Sequence, residues 1–137
     1  MGAHVSVPSY RRSLPQRYML QALKCGKCGR VIFPPKGCCP ECGQRAGFVP
    51  FRLRPEGEVF SFTELSAAGA PPEFGDLART RKGYVVGIVK LDDGPSIMAQ
   101  LSAATGPVEI GRRVRGVFKR IYAEEGIVRY GMKFETR

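Results

Sequence analysis

The sequence predicts a mainly β protein: an N-terminal helical arm, a zinc ribbon and a C-terminal five-stranded OB-fold barrel, within 137 residues. Three observations carry that expectation. Two Cys-x-x-Cys pairs, Cys25/Cys28 and Cys39/Cys42, are separated by ten residues, each with a glycine directly behind it. From Phe51 onward come five runs rich in strand formers, divided by Gly- and Pro-bearing turns. No amphipathic helix of ordinary length interrupts them. The expected boundaries are 1–17 for the arm, 18–50 for the ribbon and 51–137 for the barrel.

Composition narrows the classes. Hydrophobic residues at 43% and charged residues at 25% are globular values and exclude a disordered tail protein. No apolar run approaches the ~18 residues of a membrane span, so no membrane partner is expected. Met1–Arg17 has basic residues but no apolar stretch behind them, which argues against a secretory signal. The expected compartment is the cytoplasm, where thiols stay reduced and five cysteines suggest metal before disulfide. The charge is uneven. Residues 1–54 hold ten Lys/Arg and one acid, Glu41, for +9; residues 55–137 hold twelve and eleven, for +1. A basic front attracts anions such as nucleic acid, acidic proteins or phosphorylated cofactors.

The arm is punctuated by Pro8 and Pro15. A short helix over Pro8–Leu14 is expected, with Ser6 as its cap and Pro8 in its first turn. It has too few apolar residues to pack alone. His4, the single histidine, stands ahead of it and is expected to have no role.

Cys25–Gly43 is the most informative stretch. A two-residue gap lets one tight turn present two thiolates to one ion, and the glycine behind it closes the turn. Two such knuckles complete a tetrahedral site with no open position, so a structural zinc ion, one per chain, is expected on Cys25, Cys28, Cys39 and Cys42. A redox pair would open a helix in a βαβ setting, which neither pair does. Val31, Ile32 and Phe33 are nearly the whole local apolar supply, so metal binding has to hold the ribbon together. Cys38 stands beside Cys39; the repeated spacing selects Cys39 as the ligand.

The barrel strands are expected at Gly57–Leu65, Tyr84–Leu91, Ser96–Leu101, Val114–Tyr122 and Ile127–Phe134. Turns are expected at Asp92–Pro95 and Ala123–Gly126. Ile97, Ala99 and Leu101 alternate inward. The long connection Ser66–Gly83, with Pro71, Pro72, Phe74 and Leu77, is a candidate contact surface. An SH3-like barrel is the alternative fold.

The chemical inventory is thin. There is no Gly-x-Ser-x-Gly elbow, phosphate-binding glycine loop or His-Glu-x-x-His. The carboxylates of Asp92/Asp93 and Glu124/Glu125 are sequence neighbours in turns and read as solvated. No histidine lies near a cysteine to activate it. The chain therefore reads as a binding or accessory module, not an enzyme. An OB barrel can bind single strands through a basic groove and stacked aromatics. Phe60, Phe62, Tyr84, Phe118, Tyr122 and Tyr130, with Arg112, Arg113, Arg115, Lys119 and Arg120, are the candidates. The barrel half is nearly neutral, however, and the residues alone leave nucleic-acid binding level with acyl-cofactor or protein binding.

Several segments carry a resemblance: Pro15–Tyr18, Cys25–Gly29, Phe33-Pro34-Pro35, Cys39–Gly43, Gly57–Thr63, Tyr84–Gly94 and Ile110–Val114. Together they resemble the prokaryotic zinc-ribbon/OB-fold family tied to acyl-CoA metabolism, long catalogued as a domain of unknown function. The resemblance runs from Arg12 to Phe134. It implies a rubredoxin-like ribbon behind a helical arm, and a non-catalytic accessory subunit of thiolase-fold enzymes, or of hydratases or aldolases. The Val59–Ser66 segment resembles members that bridge acetyl-CoA acetyltransferase (thiolase) and hydroxymethylglutaryl-CoA synthase in the mevalonate route to isoprenoids. Nucleic acid is then not the expected partner. Tyr10, Arg11, Arg12, Arg17, Tyr18 and Phe74 are the candidate partner-binding residues, Arg and Tyr being enriched in interface hot spots. Coenzyme A, with its phosphates, is a candidate contact at the partner interface. Cys38 departs from the family pattern.

Overall fold

The computed structural model describes residues 7–70, 74, 83–124 and 126–137. The chain divides into two units, Met1–Leu53 and Arg54–Arg137. Ser6 and His4, and Pro71, Pro72 and Leu77 of the long connection, lie outside the described residues. Among the described residues no helix is long and apolar enough to cross a membrane.

The first unit opens with helix α1, Val7–Met19. Pro8 sits in its first turn, where a missing N–H costs nothing. The helix does not stop at Leu14 as expected but runs through Pro15. Pro15 forfeits one helical hydrogen bond. Leu20 ends the helix in the left-handed region, with φ of 50°. Its carbonyl accepts the Leu53 N–H at 3.1 Å, joining the end of the helix to the end of the unit.

Three antiparallel strands follow: β1 (Gln21–Cys25), β2 (Val31–Ile32) and β3 (Phe48–Arg52), in the order β2-β1-β3. Phe51 and Arg52, assigned to the barrel by the sequence, pair here with Ala22 and Gln21. Leu20, Ala22, Ile32 and Leu53 are buried. Among the described residues six such side chains, two of them cysteines, make a small core, as the sparse apolar supply demanded.

The second unit is a barrel of β4 (Glu56–Leu65), β5 (Tyr84–Leu91), β6 (Ser96–Ser102), β7 (Arg113–Glu124) and β8 (Ile127–Thr136). The strands close in the order β4-β5-β6-β8-β7. All pairs are antiparallel except β6 with β8. This closed five-strand order is that of an OB-type barrel. Its core is Val59, Val89, Leu91, Ile97, Leu101, Val114 and Phe134. Gly87 lets β4 and β6 approach: a Cβ there would lie 2.5 Å from Leu101 Cδ1 and 2.6 Å from the Ser61 carbonyl oxygen.

Thr136 is, among the described residues, the buried polar residue of this core. Its Oγ1 accepts N–H bonds from Ala104 at 2.9 Å and Thr105 at 3.2 Å, and donates to the Gly106 carbonyl at 2.9 Å. The β6–β7 loop is thereby tied to the last strand. Asp92 and Asp93, read from the sequence as solvated, are each paired. Arg113 bonds both Asp92 oxygens at 2.7 Å. Asp93 accepts from the Arg54 backbone N–H at 2.7 Å and from its guanidinium at 2.9 and 3.1 Å.

Candidate metal centre

Two matching turns bring four cysteines together. In the first, the Cys25 N–H bonds the Arg30 carbonyl and the Gly29 N–H bonds the Cys25 carbonyl, both at 2.9 Å. In the second, Cys39 bonds the Gln44 carbonyl at 2.8 Å and Gly43 bonds the Cys39 carbonyl at 3.0 Å. Gly29 and Gly43 take positive φ, which glycine adopts without a Cβ penalty. The four sulfurs of Cys25, Cys28, Cys39 and Cys42 lie within 4.8 Å of one another. The Cys25–Cys42 pair is at 3.7 Å and the Cys28–Cys39 pair at 3.6 Å. A tetrahedral ion with Zn–S bonds of about 2.3 Å sets sulfurs about 3.8 Å apart, so the donors fit zinc in number, softness and spacing.

The electrostatics suit a cation. Backbone N–H donation from Cys28 lowers the Cys25 thiol to about 6, and donation from Cys42 lowers Cys39. The Arg30 N–H acts on Cys28 in the same direction, but desolvation and the sulfurs of Cys39, Cys25 and Cys42 push that thiol up to about 12. Four thiolates at this spacing repel; a divalent ion would hold all four ionised. Cys25 and Cys39 are 1% exposed and pack with Ile32, Phe48 and Cys42. Cys38 is exposed and outside the cluster; its thiol points to the Cys39 and Gly43 carbonyls at 3.7 and 3.6 Å.

The candidate partner-binding residues are placed as follows. On α1, the Tyr10 and Tyr18 hydroxyls are 3.2 Å apart and Arg17 lies 5.8 Å over the Tyr10 ring. Arg11 and Arg12 are exposed. Phe74 belongs to the barrel unit and is half-buried: it stacks on Tyr84 at 5.2 Å and meets Tyr122 edge-on at 5.3 Å. Its ring is thus engaged within the barrel, which nothing in the local sequence signals.

Residues 12–46 match the rubredoxin-like zinc ribbon domain of ChsH2, and residues 52–119 its C-terminal OB-fold domain. A DUF35 domain-containing scaffold protein of Methanothermobacter thermautotrophicus is 33% identical over 129 residues, covering 92% of each chain. The chain belongs to the DUF35 family. A further relative is the benzoylsuccinyl-CoA thiolase subunit BbsA of Thauera aromatica, 32% identical over 88 residues, 64% of this chain and 54% of that protein. Among solved structures, the Ltp2-ChsH2(DUF35) aldolase has a chain of the same fold, with a TM-score of 0.66 and 22% identity over 99% of this chain and 98% of that one. The DUF35 match agrees with the two-part architecture above and with a four-cysteine ribbon able to hold a structural zinc ion.

Proposed function

We propose that this DUF35 protein is a non-catalytic cytoplasmic scaffold, holding one structural zinc ion on Cys25, Cys28, Cys39 and Cys42, that assembles with CoA-thioester enzymes. The observation that carries the reading is the character of its one metal-ligating cluster among the described residues. All four positions of a tetrahedral ion are filled by cysteine, so none is left for water or substrate, as catalysis would require. Two relatives support it by name, one as a scaffold protein and one as a thiolase subunit.

The finer reading is a bridge between acetyl-CoA acetyltransferase and hydroxymethylglutaryl-CoA synthase, in the mevalonate pathway. It rests on the resemblance of the Val59–Ser66 segment. Such a bridge would couple an unfavourable condensation to a favourable one by keeping the intermediate near both enzymes. The basic arm, with Arg11 and Arg12 exposed, offers a surface for a partner and for the phosphates of coenzyme A at the interface. Co-production with the two enzymes, followed by size-exclusion chromatography, tests the reading. Co-elution of all three is expected; separate elution at micromolar concentration overturns it.

A further inference from the structure

The hairpin β7–β8 carries one face out of the barrel core into solvent. Pairing sets which side chains share it: Val114↔Thr136, Gly116↔Phe134, Phe118↔Met132 and Arg120↔Tyr130. A bulge between Arg120 and Tyr122 resets the alternation, so Ala123↔Val128 falls on the same face. The barrel covers only the first part. Val114, Phe134 and Thr136 are 1%, 0% and 3% exposed, whereas Phe118, Val128 and Tyr130 are 49%, 40% and 46% exposed.

The neighbouring strands explain the change. β4 pairs with β7 only at Arg113, Val114 and Arg115. β6 pairs with β8 only at Phe134 and Glu135. Beyond those points the two strands pair, among the described residues, only with each other. A lone two-stranded ribbon is marginal in water, and an apolar face on it gains by being covered. The rings of Phe118 and Tyr130 are already stacked, with centroids 5.7 Å apart and planes at 17°. Beside them Arg120 is exposed and has no ion pair among the described residues. The other side of the hairpin is different: Tyr122 packs there on Phe74, and Lys119 is ion-paired with Glu135.

We propose that Phe118, Arg120, Val128 and Tyr130 form the face on which the CoA-thioester enzyme docks, against an apolar surface of that enzyme bearing a carboxylate opposite Arg120. The inference rests on the scaffold reading above and adds the place of contact. Two stacked rings beside an exposed arginine with no ion pair among the described residues have the composition of an interface hot spot. A second copy of the chain is a poorer occupant, because among the described residues this face offers Arg120 no carboxylate. A nucleic-acid strand is poorer too. Among the described residues the face carries a single cation, and Val128 offers no ring for a base.

The test uses the full chain and purified acetyl-CoA acetyltransferase, with binding followed by calorimetry. Three variants are compared: Arg120→Glu, the double change Phe118→Ser with Tyr130→Ser, and Met98→Ser, a control at a residue 76% exposed on β6. Zinc content and circular dichroism report folding; if the double variant fails to fold, Arg120→Glu decides. The expected result is binding by the wild type and by Met98→Ser, weakened at least about tenfold by the hairpin changes. Equal binding by all overturns the docking face and leaves the scaffold reading standing. No binding by the wild type overturns the docking face together with the bridge to acetyl-CoA acetyltransferase. Loss of a homodimer, or of oligonucleotide binding, with enzyme binding unchanged assigns the face elsewhere and overturns the inference.

Discussion

Gly29 and Gly43 occupy the same point of two matching turns, with φ of +73° and +71°. Each donates its N–H to the carbonyl of the first cysteine of its knuckle. The ribbon is one short device used twice, and its chemistry follows from backbone geometry that only a few residues control. An added Cβ at either glycine meets nothing within 4 Å, so Gly29→Ala or Gly43→Ala costs conformational strain alone. About 1–2 kcal/mol is expected, read as a lower unfolding midpoint of the ribbon with zinc retained.

Gly87 is a different case. Its added Cβ would strike Leu101 and the Ser61 carbonyl inside the barrel. Gly87→Ala should destabilise the barrel by about 1–3 kcal/mol or more through overpacking, with the ribbon's zinc content unchanged. Denaturant unfolding with elemental analysis separates the two effects; a neutral Gly87→Ala would contradict the close strand packing.

The cysteines give a cleaner contrast. Cys38→Ser should keep about one zinc per chain, because its thiol lies outside the four-sulfur cluster. Cys39→Ser should lose the metal or weaken it greatly, since three ligands leave the tetrahedron open. Chelation of the wild type should unfold the ribbon, whose core is two cysteines and a few apolar side chains. The opposite behaviour of the two serine variants would move the ligand from Cys39 to Cys38.

Much of this was legible in the residues. The knuckles announce themselves by spacing, and the five barrel strands by alternation and turn residues such as Asp92–Pro95. What was not legible depends on long-range pairing. The closure of β4 on β7 is a register match between segments far apart in the chain. Thr136 lay beyond the last expected strand, yet it is the hydrogen-bond hub of the barrel end. Pro15 suggested a helix end, yet the helix continues through it to Met19. Phe74, an attractive exposed anchor by sequence, is half-buried against Tyr84 and Tyr122, each on a strand its own loop does not predict.

The barrel should soften in acid. The Arg113 guanidinium holds the Asp92 carboxyl below the usual carboxylate range, and the backbone N–H and guanidinium of Arg54 do the same for Asp93. A carboxyl whose folded pKa is depressed stabilises the fold above its unfolded value, near 3.9, and that contribution is lost as pH falls through the folded value. Stability should therefore be flat from about pH 7 to 5 and fall below about pH 4. Arg54→Met together with Arg113→Met should flatten the fall; denaturant midpoints measured across that range decide.

The arm should matter for assembly more than for folding. Removing residues 1–17 takes away Arg11, Arg12, Arg17 and the Tyr10–Tyr18 contact. Zinc content and barrel stability are expected to persist, while affinity for the enzyme partner falls. An unchanged affinity would take the arm out of the interface.

In the role proposed above, this chain assembles CoA-thioester enzymes and does not perform their chemistry. The most direct measurement is acetyl-CoA condensation by co-purified acetyl-CoA acetyltransferase and hydroxymethylglutaryl-CoA synthase, with and without this protein. The protein alone should be inactive, the three chains should co-elute, and condensation should fall when it is omitted. Separate elution with condensation unchanged, or turnover of a CoA thioester by this chain alone, would contradict the account.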